Sequence, residues 1–165
     1  MQEGGFIVKV RVSLGFDIHR FSEGRKLVLC GVEVPYELGL LGHSDADVAL
    51  HAVIDAMLSA AGLPDIGSIF PDTDPKYEGI SSLKLLEKAK KLVEERGFKV
   101  SQVDITFVCD SPKLSKFYPK MKETLAKALN LDLEDVGIKA RTTEGLWEKN
   151  KGIACFALVT LLKQK

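Results

Sequence analysis

From residue 6 to residue 16 the chain alternates: Phe6, Val8, Val10, Val12, Leu14 and Phe16 take the even positions, with Ile7, Lys9, Arg11 and Ser13 between them. A period of two predicts a half-buried β-strand that runs on into LGFDIHRF at 14–21. Alternate residues of a strand leave the same face about 6.5–7 Å apart, so Asp17 and His19 can converge on one point. Residues 27–34 read as a second strand, ended by Pro35. The run SDADVALHAVIDAMLSAAGLP at 44–64 predicts a helix, with Ser44 or Asp45 as N-cap, acids in its first turn, and Gly62 and Pro64 as stop signals. Leu83, Leu86, Ala89, Leu92 and Val93 form one stripe of a second helix over 82–96, which Gly97 terminates. A strand over 100–109, a third helix over 115–129, a short strand over 136–140 and an apolar strand over 152–162 complete the pattern.

The expected fold is a single domain over 1–165, an α/β (α+β) sandwich with one mainly β-sheet layer and helices on one face. Three helices cover one side of a sheet. A last strand as apolar as IACFALVTLL therefore implies that its other side is buried too, by a further copy of the chain.

Composition narrows the function. The 165 residues carry 23 basic and 23 acidic side chains, so net charge implies neither a nucleic-acid nor a membrane surface. No apolar run reaches transmembrane length, and MQEGG resembles neither a secretory nor a transit leader, which predicts a cytoplasmic location. Cys30, Cys109 and Cys155 are an odd set in apolar runs, expected as buried free thiols.

All three histidines, His19, His43 and His51, fall in the first third of the chain. On the 44–62 helix Asp47, His51 and Asp55 stand at i, i+4 and i+8, a polar stripe on an otherwise apolar helix. Asp17 and His19 from a strand and His51 from a helix make a carboxylate and two imidazoles, three ligands with room for a fourth, as in catalytic zinc sites. Asp55 or Asp47 is placed to orient His51. The same spacing also suits polar residues satisfied at a sheet edge, and a two-histidine, one-carboxylate set also suits iron(II). Directly after this helix LPDIGSIFPDTDP, 63–75, is a stiff acidic loop, and Thr142, Thr143 and Glu144 follow a strand with hydroxyls and a carboxylate suited to a phosphate and magnesium.

The segments GFDIHRF, LLGHSDADVALHAVIDA, DIGSIFPDTDP, SPK, TTEGL and GIAC, in that order, resemble the 2-C-methyl-D-erythritol 2,4-cyclodiphosphate synthase family over nearly the whole chain. The resemblance implies a lyase of the non-mevalonate isoprenoid pathway that cyclises 4-diphosphocytidyl-2-C-methyl-D-erythritol 2-phosphate and releases CMP. It implies Asp17, His19 and His51 as ligands of zinc or a similar divalent cation, and Glu144 as ligand of magnesium or manganese. Substrate contacts are implied for Asp17 and His19, for His43 and Ser44 in a closing loop, and for Asp65, Ile66 and Gly67 at the ribose. Further contacts are implied for Phe70, Pro71, Asp72, Thr73 and Asp74 at the methylerythritol. Cys109, Asp110, Ser111, Pro112, Lys113, Leu114 and Ser115 correspond to the cytosine pocket, and Thr142, Thr143 and Glu144 to the phosphates. Catalytic parts are implied for His43 and Thr142. The family's assembly is a homotrimer around the sheets, with active sites between subunits, a small-molecule nucleotide as substrate, and no nucleic acid or membrane partner. Three positions depart from the family pattern: Arg141 stands where a first threonine is usual, the stretch GLWEKNKG is shorter, and Phe156 replaces a Glu. Lys149 or Lys151 is the candidate for the missing Arg of that stretch.

Overall fold

A computed structural model of the chain describes residues 8–148 and 150–163, so Phe6, Ile7 and Lys149 lie outside the described residues. The strands are β1 (Val10–Ser22), β2 (Leu27–Leu29), β3 (Val32–Val34), β4 (Gly39–Leu40), β5 (Phe98–Val108), β6 (Val136–Arg141) and β7 (Gly152–Lys163). The helices are α1 (Val48–Ala60), the single turn α2 (Ile66–Ile69), α3 (Ser82–Glu95) and α4 (Tyr118–Leu129). One mixed sheet runs in the order β4-β1-β7-β5-β6, antiparallel except for the β5–β6 pair, and β2–β3 form a separate hairpin. Helix α1 packs across β1, β7 and β5, α3 packs against α1 and β5, and α4 packs against α3 and β6. No helix among the described residues is long and apolar enough to cross a membrane.

Strand β1 inverts the expected burial. Its apolar row, Val10, Val12, Leu14, Phe16 and Ile18, points away from the helices and is 46–62% exposed, while Gly15, Asp17 and His19 point towards α1. Beside that row on β7 stand Phe156 and Leu158, also exposed, with the Phe16 and Phe156 rings 4.9 Å apart. The reason lies at Gly15, where α1 comes so close that a Cβ would meet the Ala52 carbonyl oxygen at 1.9 Å. Only a residue without a side chain fits there, so the neighbours that share its face, Asp17 and His19, are carried under the helix.

Two boundaries also shift. The 27–34 segment is a hairpin rather than one strand, because Cys30 and Gly31 both take positive φ, +51° and +72°, the geometry of a two-residue turn that matches strand twist. Helix α1 starts at Val48 with Asp47 as its cap, so neither Ser44 nor Asp45 is the N-cap and no acid lies in the first turn. Fully buried Asp47 accepts from Leu50 N and Cys30 N at 3.0 Å and from Gly31 N at 2.7 Å, stapling the hairpin turn to the helix start. Burial pushes its carboxyl up to about 6, against the pull of the Gly31 and Leu50 N–H groups. All three cysteines are buried and free.

Seating α1 on Gly15 predicts that Gly15→Ala lowers stability by about 1–3 kcal/mol through overpacking, read from urea unfolding midpoints. An unchanged midpoint would mean that the helix rides on other contacts.

Candidate metal centre and substrate cavity

Strand and helix together bring the three expected ligands to one point. His19 Nε2 lies 2.8 Å from Asp17 Oδ2, His51 Nδ1 lies 3.1 Å from the same oxygen, and the two ring nitrogens are 3.4 Å apart. Among the described residues this is the one cluster of histidine, cysteine and carboxylate groups with metal-ligand spacing. The other nitrogen of each ring fixes its tautomer. His19 Nδ1–H donates to the Leu41 carbonyl at 2.7 Å, and His51 Nε2–H points at Ser44 Oγ and Ser82 Oγ, each 3.0 Å away. Two imidazole lone pairs and a carboxylate oxygen therefore face one another, an arrangement that repels itself unless a positive charge sits between them. The edges of the triangle also suit a tetrahedral ion, whose ligands at roughly 2.0–2.1 Å stand about 3.3 Å apart.

The titration of the same groups expresses that demand. Burial would raise the Asp17 carboxyl, but when protons rather than a cation supply that positive charge, the hydrogen bonds from His19 and His51 and their charge outweigh it and hold Asp17 well below the usual carboxylate range. Burial would lower the His19 imidazole, yet the hydrogen bond and charge of Asp17 leave it raised.

These ligands line a cavity of about 350 Å³ together with His43, Ser44, Asp55, Ile66, Gly67, Phe70 and Asp72. The acidic loop is built onto α1. Asp55 accepts from Ile66 N at 3.0 Å, so it anchors the loop rather than orienting His51, and Asp47 is likewise engaged elsewhere. Asp65 caps α2 by accepting from Ser68 N at 2.9 Å, and Asp74 accepts from Lys76 N at 3.1 Å. His43 Nε2 lies 3.3 Å from the Asp74 carbonyl, which links the 41–47 loop to the acidic one. Pro71 and Thr73 belong to the same turn. The hydroxyls that His51 Nε2 faces, those of Ser44 and Ser82, were not legible from spacing, because Ser82 is 31 residues away and enters with α3.

The remaining expected residues gather elsewhere. Cys109, Asp110, Ser111, Pro112, Lys113, Leu114 and Ser115 follow β5, and Thr142, Thr143 and Glu144 follow its neighbour β6; none of them lines the cavity of the three ligands. Asp17 is in register with Cys155 and Cys155 with Phe107, so β7 separates the two groups at one end of the sheet, about 10 Å from β1 to β5 at ~4.8 Å per strand. Asp110 accepts from Thr143 N at 2.9 Å and from Thr143 Oγ at 2.9 and 3.1 Å, a clamp between the two loops. Thr142 donates its hydroxyl to Glu144 at 2.8 Å, and Glu144 holds a left-handed φ of +53°. A second cavity, of about 440 Å³, includes Asp110, Thr143, Arg20, Trp147 and Lys151.

Comparison with known proteins gives a consistent answer. The family model described as the YgbB family matches residues 10–162. A Desulfitobacterium hafniense protein named 2-C-methyl-D-erythritol 2,4-cyclodiphosphate synthase is 49% identical over 156 residues, covering 93% of this chain and 99% of that protein. A solved structure of a bifunctional IspDF from Campylobacter jejuni superposes with a TM-score of 0.91 at 40% identity, over 95% of this chain and 43% of that one. A 2C-methyl-D-erythritol-2,4-cyclodiphosphate synthase solved in its CDP-bound form gives 0.86 at 42% identity, over 92% of this chain and 99% of that one.

Gly42 packs behind the His19 ring, where a Cβ would come within 3.2 Å of Cε1 and 2.9 Å of the Ala46 Cβ. Gly42→Ala should therefore displace the imidazole and weaken retention of a divalent cation about tenfold, measured by metal content after dialysis against a chelator. Retention equal to the parent would show that the ring has room to move.

Proposed function

The chain belongs to the YgbB family, and from that premise we propose that it converts 4-diphosphocytidyl-2-C-methyl-D-erythritol 2-phosphate into 2-C-methyl-D-erythritol 2,4-cyclodiphosphate with release of CMP, a phosphorus–oxygen lyase step of the non-mevalonate isoprenoid pathway. The observation that carries this reading is the convergence of Asp17, His19 and His51 on one point in the wall of the cavity that the acidic loop borders. Asp17, His19 and His51 would hold zinc or a similar divalent cation, and Glu144 magnesium or manganese. Cations bound there supply positive charge beside the attacked diphosphate.

The chain's own residues do the positioning. The nucleophile is the substrate's 2-phosphate, whose second ionisation lies at about pH 6, so it is already anionic near neutrality and needs no protein base. One of its oxygens bonds to the β-phosphorus as the bond from that phosphorus to the bridging oxygen breaks, and the bridging oxygen departs with CMP. His43 and Ser44 grip the methylerythritol phosphate end, and Asp65, Ile66 and Gly67 grip the ribose. The segment from Phe70 to Asp74 meets the methylerythritol, Cys109 to Ser115 the cytosine, and Thr142 and Thr143 the phosphates. Held in line between these groups, two repelling anions react as parts of one molecule.

The assembly that fits is a homotrimer of single-domain subunits in the cytoplasm, with each active site between neighbours. Two features support it: the ligand cavity lacks the β5 and β6 loops of its own chain, and the open face of β1 and β7 carries a continuous apolar row that a soluble monomer rarely exposes.

Phosphorus NMR of the protein with this substrate, zinc and magnesium should show CMP and a cyclic diphosphate. CMP with methylerythritol 2,4-bisphosphate, two separate phosphomonoesters, would make the chain a hydrolase, and unchanged substrate would make it a nucleotide-binding protein without turnover. Glu144→Gln should raise the magnesium concentration for half-maximal rate about tenfold, roughly 1.4 kcal/mol of binding. An unaltered magnesium dependence would remove Glu144 from that role.

A further inference from the structure

Ser82, the first residue of α3, is fully buried, although serine is a poor residue to bury without partners. Its N–H donates to Asp45 Oδ2 at 2.9 Å and its hydroxyl donates to Asp45 Oδ1 in a short hydrogen bond. The preceding Ser81 offers α3 no side-chain cap, so the acid that serves the helix start comes from the distant 41–47 loop. With its proton committed to Asp45, Ser82 Oγ has only lone pairs left, and one faces His51 Nε2 at 3.0 Å. Ser44 Oγ stands at the same 3.0 Å from that nitrogen, but it is held by a single N–H, from Ala46 at 3.2 Å, and lines the cavity.

We propose that Asp45 and Ser82 are positioning residues that hold His51 in its ligand tautomer and orientation, so that Ser44 is free to turn its hydroxyl to the substrate. The proposal rests on the reading of Asp17, His19 and His51 as a cation site. A carboxylate that accepts the Ser82 proton makes Oγ a stronger acceptor for the His51 Nε2–H, and a ring pulled at Nε2 is the better electron-pair donor at Nδ1. Two bonds to one carboxylate also fix Ser82 where a single N–H leaves Ser44 able to rotate. The two serines are thus equivalent in distance and unequal in role.

The test is the zinc affinity of the metal-free full chain, by competition with a chromophoric chelator at neutral pH, with circular dichroism as the check of folding. Ser82→Ala should weaken zinc binding about 10–100-fold. Asp45→Asn should weaken it less and in the same direction, and it carries the test if Ser82→Ala does not fold. Ser44→Ala should change affinity by about twofold or less. The visible bands of the cobalt(II)-loaded protein should shift in Ser82→Ala, which a loss of helix stability alone would not cause. A folded Ser82→Ala protein with parental zinc affinity, or a Ser44→Ala loss equal to that of Ser82→Ala, overturns the proposal. If His51→Ala also binds zinc like the parent, the cation-site reading itself fails.

Discussion

The close approach of α1 to β1 at Gly15 is the constraint on which the rest of the site depends. A helix normally rides on a sheet at the distance set by side chains between them; here the Ala52 carbonyl takes the space where a Cβ would be. That contact puts His51, one helical turn before Asp55 and one residue before Ala52, within reach of Asp17 and His19. It also decides which face of β1 goes inward. The strand turns a buried glycine and a half-buried carboxylate and imidazole inward and leaves its valines, Leu14, Phe16 and Ile18 outside.

Once those groups are under the helix, electrostatics shape their surroundings. Three lone-pair donors pressed together in a partly buried place are stable only if each is fixed and if positive charge is available. The fixing comes from groups of separate elements: the Leu41 carbonyl for His19, and Ser82, itself held by Asp45, for His51. Asp47, fully buried one turn away, belongs to the frame rather than the centre, since its oxygens are taken by backbone N–H groups. The acidic loop is tied down in the same manner by Asp55 and by its own caps.

The division of the expected contacts between two places follows from strand order. β7, the last strand in sequence, is inserted between β1 and β5, so residues after β5 and β6 stay out of the ligand cavity and meet the end of β1 only in the second cavity, beside Arg20. The clamp from Asp110 to Thr143 binds these far loops to each other and not to the ligand cavity. An uncovered apolar row on the same chain fits the view that another copy supplies what is missing.

Much was legible in the residues themselves: α1 and α3 within a few positions of their ends, β5 to β7, and above all the set of Asp17, His19 and His51, since alternation in a strand and spacing on a helix constrain which way a side chain points. Local turn chemistry was less legible. The Cys30–Gly31 turn hid inside an apolar run, and the cap of α1 fell on Asp47 because that carboxylate also serves the hairpin. By itself the sequence determined the elements and the ligand types, both of which depend on neighbours a few residues apart. Tertiary structure alone decided which face of β1 is buried, and which of Ser44, Ser82, Asp47 and Asp55 touches His51. Those outcomes depend on how near two elements come, a distance set here by one missing side chain at Gly15 and recorded in no local pattern.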